Sequence, residues 1–190
     1  DYFDKTLSAA QQYCVEEGAH FLSPFDDEDV IEGQASVAVE IEEQLGRVPD
    51  HILLPVGGGG LSSGVYSYFQ NECRYSFVEP EGAPSLAKAL AAGAPVDVSP
   101  INSFVDGAAV AKIGQRNFSR LDRVAESEVI HLAEDRICVT IIEMLNIEGI
   151  VLEPAGAMAI DALADLRDQI AGKRVVCITS GGNFDFERLP

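Results

Sequence analysis

The chain has 190 residues, 47% of them apolar, and a formal net charge of −18. That length and composition suit one large domain, or one domain and a fragment of another, around a sizeable core. The charge argues against nucleic acid and anionic membranes as partners, and no apolar stretch approaches bilayer-spanning length, so neither class is expected.

In chain order, residues 1–18 are predicted as an amphipathic helix with Phe3, Leu7, Ala10 and Cys14 on one face and Gly18 at its end. A short strand over 20–23, a turn-rich stretch over 24–29 and a helix over 30–45 follow. Apolar residues 51–56 read as a buried strand, four consecutive glycines come next, and apolar residues at helical spacing fill 61–69. Strands are predicted over 75–79, 129–132 and 174–179, and helices over 84–92, 109–121, 134–145 and 155–170. Strands alternating with helices imply an α/β fold: a mostly parallel sheet with helices on both faces. Cys14, Cys73, Cys138 and Cys177 are far apart, form no C-x-x-C and read as buried free thiols. With no signal-peptide pattern at residues 1–5, a reducing cytoplasm is the expected location. His20, His51 and His131 are isolated and lack zinc-ligand spacing, and no nucleophile motif is present.

The strongest local signal is Gly57-Gly58-Gly59-Gly60 between strand and helix. Glycines let backbone N–H groups converge on an anion, and the following helix N-terminus adds partial positive charge. A phosphorylated ligand is therefore expected. The dinucleotide pattern G-x-G-x-x-G fails, because Ser62 or Ser63 stands at its third position, and no Gly-Lys-Ser/Thr is present. In a parallel sheet, ligands bind beyond the carboxyl ends of the strands. Three segments are expected to line that edge: the glycine loop, the turn Glu79-Pro80-Glu81-Gly82-Ala83, and Thr179-Ser180-Gly181-Gly182-Asn183.

Taken together, these segments resemble the threonine dehydratase family of pyridoxal-phosphate enzymes. The resemblance rests on Pro55-Val56-Gly57-Gly58-Gly59-Gly60-Leu61, Asp106-Gly107-Ala108-Ala109-Val110, Glu153-Pro154-Ala155-Gly156-Ala157 and Ser180-Gly181-Gly182-Asn183. Pro24-Phe25-Asp26-Asp27 and Gly33-Gln34 add to it, and the matches run in order along the whole chain. Serine racemases and serine dehydratases are near relatives. The resemblance implies the larger domain of a tryptophan-synthase-β-like, fold type II enzyme over 27–190, with 1–26 ending a smaller domain. It implies pyridoxal 5'-phosphate as cofactor, its phosphate held by Gly57, Gly58, Gly59, Gly60 and Leu61 and its ring nitrogen by Ser180. Glu153 becomes a neighbour of the cofactor, or else the cap of the helix that starts at Pro154. The implied reaction dehydrates and deaminates L-threonine to 2-oxobutanoate and ammonia in isoleucine biosynthesis, by a homo-oligomer, with L-serine as the alternative substrate.

Two departures qualify that picture. The family's Schiff-base lysine lies in a motif that none of Lys5, Lys88, Lys112 and Lys173 occupies. The chain is therefore expected to be part of a catalytic unit, and alone it would be a cofactor- or phosphate-binding module without turnover. Serine racemases also suggest a cation site at Glu79, the Ala83 carbonyl and Ser85. Ser85 replaces the carboxylate those enzymes use, and a divalent ion thereby loses a hard charged ligand, so no metal is expected.

Overall fold

The computed structural model describes residues 3–185 and 187. Strand β1 (His51–Pro55) has every residue buried, as a central parallel strand covered on both faces requires. It pairs in parallel with β2 (Arg74–Pro80) on one side and β4 (Val175–Cys177) on the other, while β3 (Val129–Leu132) pairs with β2. The strand order is β3-β2-β1-β4.

Alternation along the strands divides the core in two. Ile52, Leu54, Tyr75 and Phe77 face helices α2 (Glu28–Leu45), α3 (Gly60–Phe69), α4 (Ser85–Ala92) and α5 (Gln115–Leu121), meeting Ala38, Val65, Leu86 and Phe118. Leu53 and Val78 face the opposite layer of α6 (Glu134–Glu143), α7 (Pro154–Asp161) and α8 (Leu163–Ile170), against Ile137, Met158 and Leu166. Each such side chain contributes roughly 1.5–3 kcal/mol by burial. The parallel sheet with helices on both faces is as the sequence predicts. Helix α1 (Phe3–Glu17) lies within the predicted span, whose first two residues lie outside those described. None of its residues from Thr6 to Glu17 is buried.

Several predicted elements differ. Residues 20–23 form no strand. They find no ladder partner, and the Ser23 hydroxyl instead accepts the Asp26 N–H at 3.0 Å, making a turn. The helix predicted over 109–121 starts only at Gln115, behind an extended Gly114. Asp26, far away in sequence, fixes that start by accepting the N–H of Gln115 at 3.0 Å and of Arg116 at 2.8 Å. The helix predicted over 155–170 breaks at Ala162 into a buried apolar α7 and an amphipathic α8 whose only buried residue is Leu166. Helix α6 passes into a π-helical turn, Met144–Glu148, closed by Gly149 at φ +67°. Strand β4 is three residues long because its ladder with β1 covers only His51 to Leu53, with Ile178 N–H donating to Leu53 O as the last bond. Of the four cysteines only Cys138 is buried; Cys14, Cys73 and Cys177 are half-buried.

Candidate functional site

The chain passes from β1 through β2 to β3 in one direction across the sheet and then returns to place β4 on the far side of β1. The reversal opens a crevice beyond the carboxyl ends of β1 and β4, where doubly wound sheets bind ligands. A cavity of about 810 Å³ lies there, lined by the glycine loop, Thr179 and Ser180, with Phe25, Asp106 and Glu153 on its walls.

The glycine loop is built to present N–H groups. Its carbonyls are tied into the protein: Gly57 O accepts the Ser85 hydroxyl at 2.9 Å, and Gly58 O accepts Asn117 Nδ2 at 2.9 Å and Gly114 N–H at 3.1 Å. Gly59 O accepts Ser63 N–H at 2.8 Å, the first bond of α3. A trans peptide carries its N–H opposite its carbonyl, so pinning the first two carbonyls also fixes the Gly58 and Gly59 N–H groups. The N–H groups of Gly60, Leu61 and Ser62 precede the first intrahelical donor, and Gly59, as N-cap, offers no side chain to them. Gly57, Gly58, Gly59, Gly60 and Leu61 thus all border the cavity with uncapped helix polarity behind them.

Glycine is required here by space as well as by conformation. A Cβ on Gly58 would come within 2.2 Å of Phe25 Cγ, and Gly59 sits at φ +92°. The charged side chains on the cavity wall, among the described residues, are the carboxylates Asp106 and Glu153. An anion held here would rely on backbone dipoles.

Ser180 is exposed and lines the cavity at the end of β4. Glu153 occupies the N-cap position of α7, yet its side chain makes no capping hydrogen bond, so the capping alternative is not what the carboxylate does. It stands beside Gly181, where a Cβ would lie 2.4 Å from Oε1. Burial raises its pKa, the Asp106 charge adds to this, and the Asn183 N–H works against both.

The third predicted segment does not reach the cavity. Glu79 is fully buried, one strand away from the switch point, and caps α4: Leu86 N–H donates to Oε1 at 2.6 Å and Ala87 N–H to Oε2 at 2.9 Å. The Ala83 carbonyl accepts Ser85 N–H at 2.9 Å, and Ser85 Oγ lies 3.3 Å from Glu79 Oε1. The three groups suggested for a cation therefore bond to one another and to α4.

Three contributors were not singled out from sequence as site-builders. Asn117, fully buried, donates through Nδ2 to Phe25 O at 2.8 Å and to Gly58 O, and its Oδ1 accepts the Ser63 hydroxyl at 2.6 Å. Asp26 caps the helix that carries Asn117, and Phe25 packs over Gly58. Pro24-Phe25-Asp26-Asp27 was a visible signal, but nothing in it names a partner about ninety residues away.

Residues 1–181 match the family profile described as "Pyridoxal-phosphate dependent enzyme". Along its whole length the chain is 42% identical to the biosynthetic L-threonine dehydratase IlvA of Bacillus subtilis, covering 45% of that protein, and 40% identical to its namesake from Lactococcus lactis, covering 47%. The chain thus spans about half the length of the curated relatives it matches. Among solved structures, threonine deaminase isoform 2 from Solanum lycopersicum superposes over the whole chain with a TM-score of 0.91 at 32% identity, covering 56% of that chain. Maize serine racemase superposes over 98% of the chain at 0.86 and 27%, with 59% of that chain covered. The fold type II assignment is borne out, and the chain belongs to the pyridoxal-phosphate-dependent enzyme family.

Proposed function

We propose that this chain is the cofactor-holding part of a pyridoxal-phosphate-dependent lyase that converts L-threonine to 2-oxobutanoate and ammonia. The observation that carries the reading is the glycine loop: its first two carbonyls are tied into the protein, its helix N-terminus is uncapped, and it lines one cavity with Ser180 at the switch point. That arrangement fits a phosphate ester on a flat heteroaromatic ring. Gly57 to Leu61 would hold the phosphate through N–H groups, and Ser180 would offer a neutral hydroxyl to the ring nitrogen. When bound, the cofactor supplies an electron sink for the carbanion left by α-proton removal. A hydroxyl, unlike a carboxylate, does not hold the ring protonated, which favours a reaction that expels its β-hydroxyl promptly. Glu153 and Asp106 border the same space.

Neither Lys88, Lys112 nor Lys173 lines the cavity. The lysine that joins the cofactor covalently is assigned to the remainder of the parent protein. Residues 1–26 are assigned to the end of a smaller domain and 27–190 to the larger one, in keeping with the exposure of α1. A role in isoleucine biosynthesis is supported by the similarity to the biosynthetic IlvA relatives. A cytoplasmic location is part of the proposal and rests on the resemblance to biosynthetic enzymes. Homo-oligomerisation is supported by exposed Ile142, Leu145, Ile147 and Ile150 around the π-helical turn.

The test is to assay the full-length parent protein for 2-oxobutanoate from L-threonine and pyruvate from L-serine, and to record the absorbance of bound cofactor. Threonine turnover exceeding serine turnover supports the reading. A preference for L-serine transfers it to a serine dehydratase, and cofactor absorbance without turnover makes it a binding module.

A further inference from the structure

Ser85 is fully buried at the start of α4, between the glycine loop that follows β1 and Glu79 on the neighbouring strand β2. On one side its hydroxyl donates to Gly57 O at 2.9 Å; on the other, Glu79 Oε1 lies 3.3 Å from the same oxygen. Glu79 is itself immobilised by two short bonds from Leu86 and Ala87 N–H. Ser85 Oγ therefore sits between an anchored carboxyl group and the first carbonyl of the glycine loop. Because Gly57 O and Gly58 N–H belong to one planar peptide, turning the carbonyl turns the N–H.

We propose that Ser85, held by Glu79, is a positioning residue that fixes the Gly57–Gly58 peptide and so aims the Gly58 N–H at the phosphate of the cofactor. The inference rests on the phosphate-binding reading of the glycine loop. Asn117 and Gly114 hold the next peptide from the opposite side, through Gly58 O. Successive peptides are thus set by separate elements, α4 and α5 with the residue before it. Removing the Ser85 hydroxyl frees the first peptide to rotate while leaving the second in place. The loss should fall on the phosphate and spare the ring.

The experiment uses the full-length parent protein, stripped of cofactor, and measures binding of pyridoxal 5'-phosphate and of pyridoxal by absorbance. With Ser85→Ala, affinity for the phosphate ester should drop about tenfold, the size of one ordinary hydrogen bond, while affinity for pyridoxal stays within about twofold. Ser85→Cys, close in shape but a weak donor, should move the same way by a smaller factor and guards against a packing defect in the alanine variant. Equal loss for both ligands, or no loss for either, overturns the proposal. If the unmodified protein itself binds the ester no better than pyridoxal, the phosphate-cup reading fails first.

Discussion

Asn117 reaches across from α5 to donate one amide proton to Gly58 O at 2.9 Å and the other to Phe25 O at 2.8 Å. With Ser63 bonded to its Oδ1, every hydrogen-bonding position of this buried amide but one acceptor lone pair is used. It joins the turn before α2, the glycine loop and α3.

Asn117→Ala should therefore cost more than a surface substitution. It removes the amide donors to Phe25 O and Gly58 O and the 2.6 Å acceptor of the Ser63 hydroxyl, which keeps Gly60 O at 3.2 Å, at about 1–3 kcal/mol for the buried network. Urea unfolding of the full-length protein should show a loss of about 3 kcal/mol, and cofactor should dissociate more readily. A change within experimental error would mean that the Gly114 bond to Gly58 O suffices.

Gly58→Ala places a methyl group against the Phe25 ring. Built on the present backbone it would meet Cγ at 2.2 Å, so the ring or the loop must move. Cofactor occupancy should fall and stability with it. Phe25→Ala in the same chain should recover part of both losses, read as a coupling term in a double-mutant cycle. Strictly additive losses would contradict the packing described here.

Ser180 offers a test of ring electronics. On the role proposed for it, Ser180→Ala should weaken cofactor binding by on the order of 1 kcal/mol, since it would remove a neutral hydrogen bond. On the same role, Ser180→Asp would favour a protonated ring, and racemisation should rise relative to elimination. Product ratios from L-serine, measured by chiral chromatography, check this. Unchanged spectra, rates and ratios in both variants would reduce Ser180 to a turn residue.

Glu79 makes stability depend on pH. Burial pushes its pKa from the ordinary 4.5 up to about 7, against the opposing N–H bonds of Ala87 and Leu86 and the contact with Ser85. Also facing it is His131, whose Nε2 lies 3.9 Å from Oε2. Between those two values the folded chain keeps a proton that the unfolded chain has lost. The contribution is fully present below about pH 4.5 and disappears as pH rises through about 7. Glu79→Gln, neutral throughout, should gain stability relative to the parent as pH climbs across that window, measured by thermal melts at pH 4.5, 6 and 8. A constant difference across the three would contradict the shift.

What could be read from sequence was local and periodic. Strand β3 matches its predicted bounds, and β1, the glycine loop and α3 follow from an apolar run, a loss of side chains and a helical repeat that are contiguous. What could not be read depends on distant partners. Residues 20–23, with Phe21 and Leu22 at their centre, have strand character but no neighbour to pair with, and strand formation is a property of the pair. The start of α5 is decided by a carboxylate on Asp26, and residues 109–114 carry no mark of it. Asn117 looks like any polar residue on a short helix; only folding shows that it faces inward. The switch point itself is a fact of strand order, which explains why the Glu79 turn was expected in the cavity and lies outside it.

The short strand β4 lies at one end of the sheet, half-buried, so among the described residues its outer backbone groups have no ladder partner. Such a border can recruit any extended segment, including the same strand of another molecule. A net charge of −18 opposes that encounter, because two copies must approach to within a few ångströms before their backbones can bond. The protection is electrostatic and therefore conditional. Salt shortens its range from about 10 Å at 0.1 M to about 3 Å at 1 M. Acidification to the isoelectric point, about pH 4.3, removes it. The isolated chain should remain dispersed in dilute neutral buffer and associate through this border when either condition is changed.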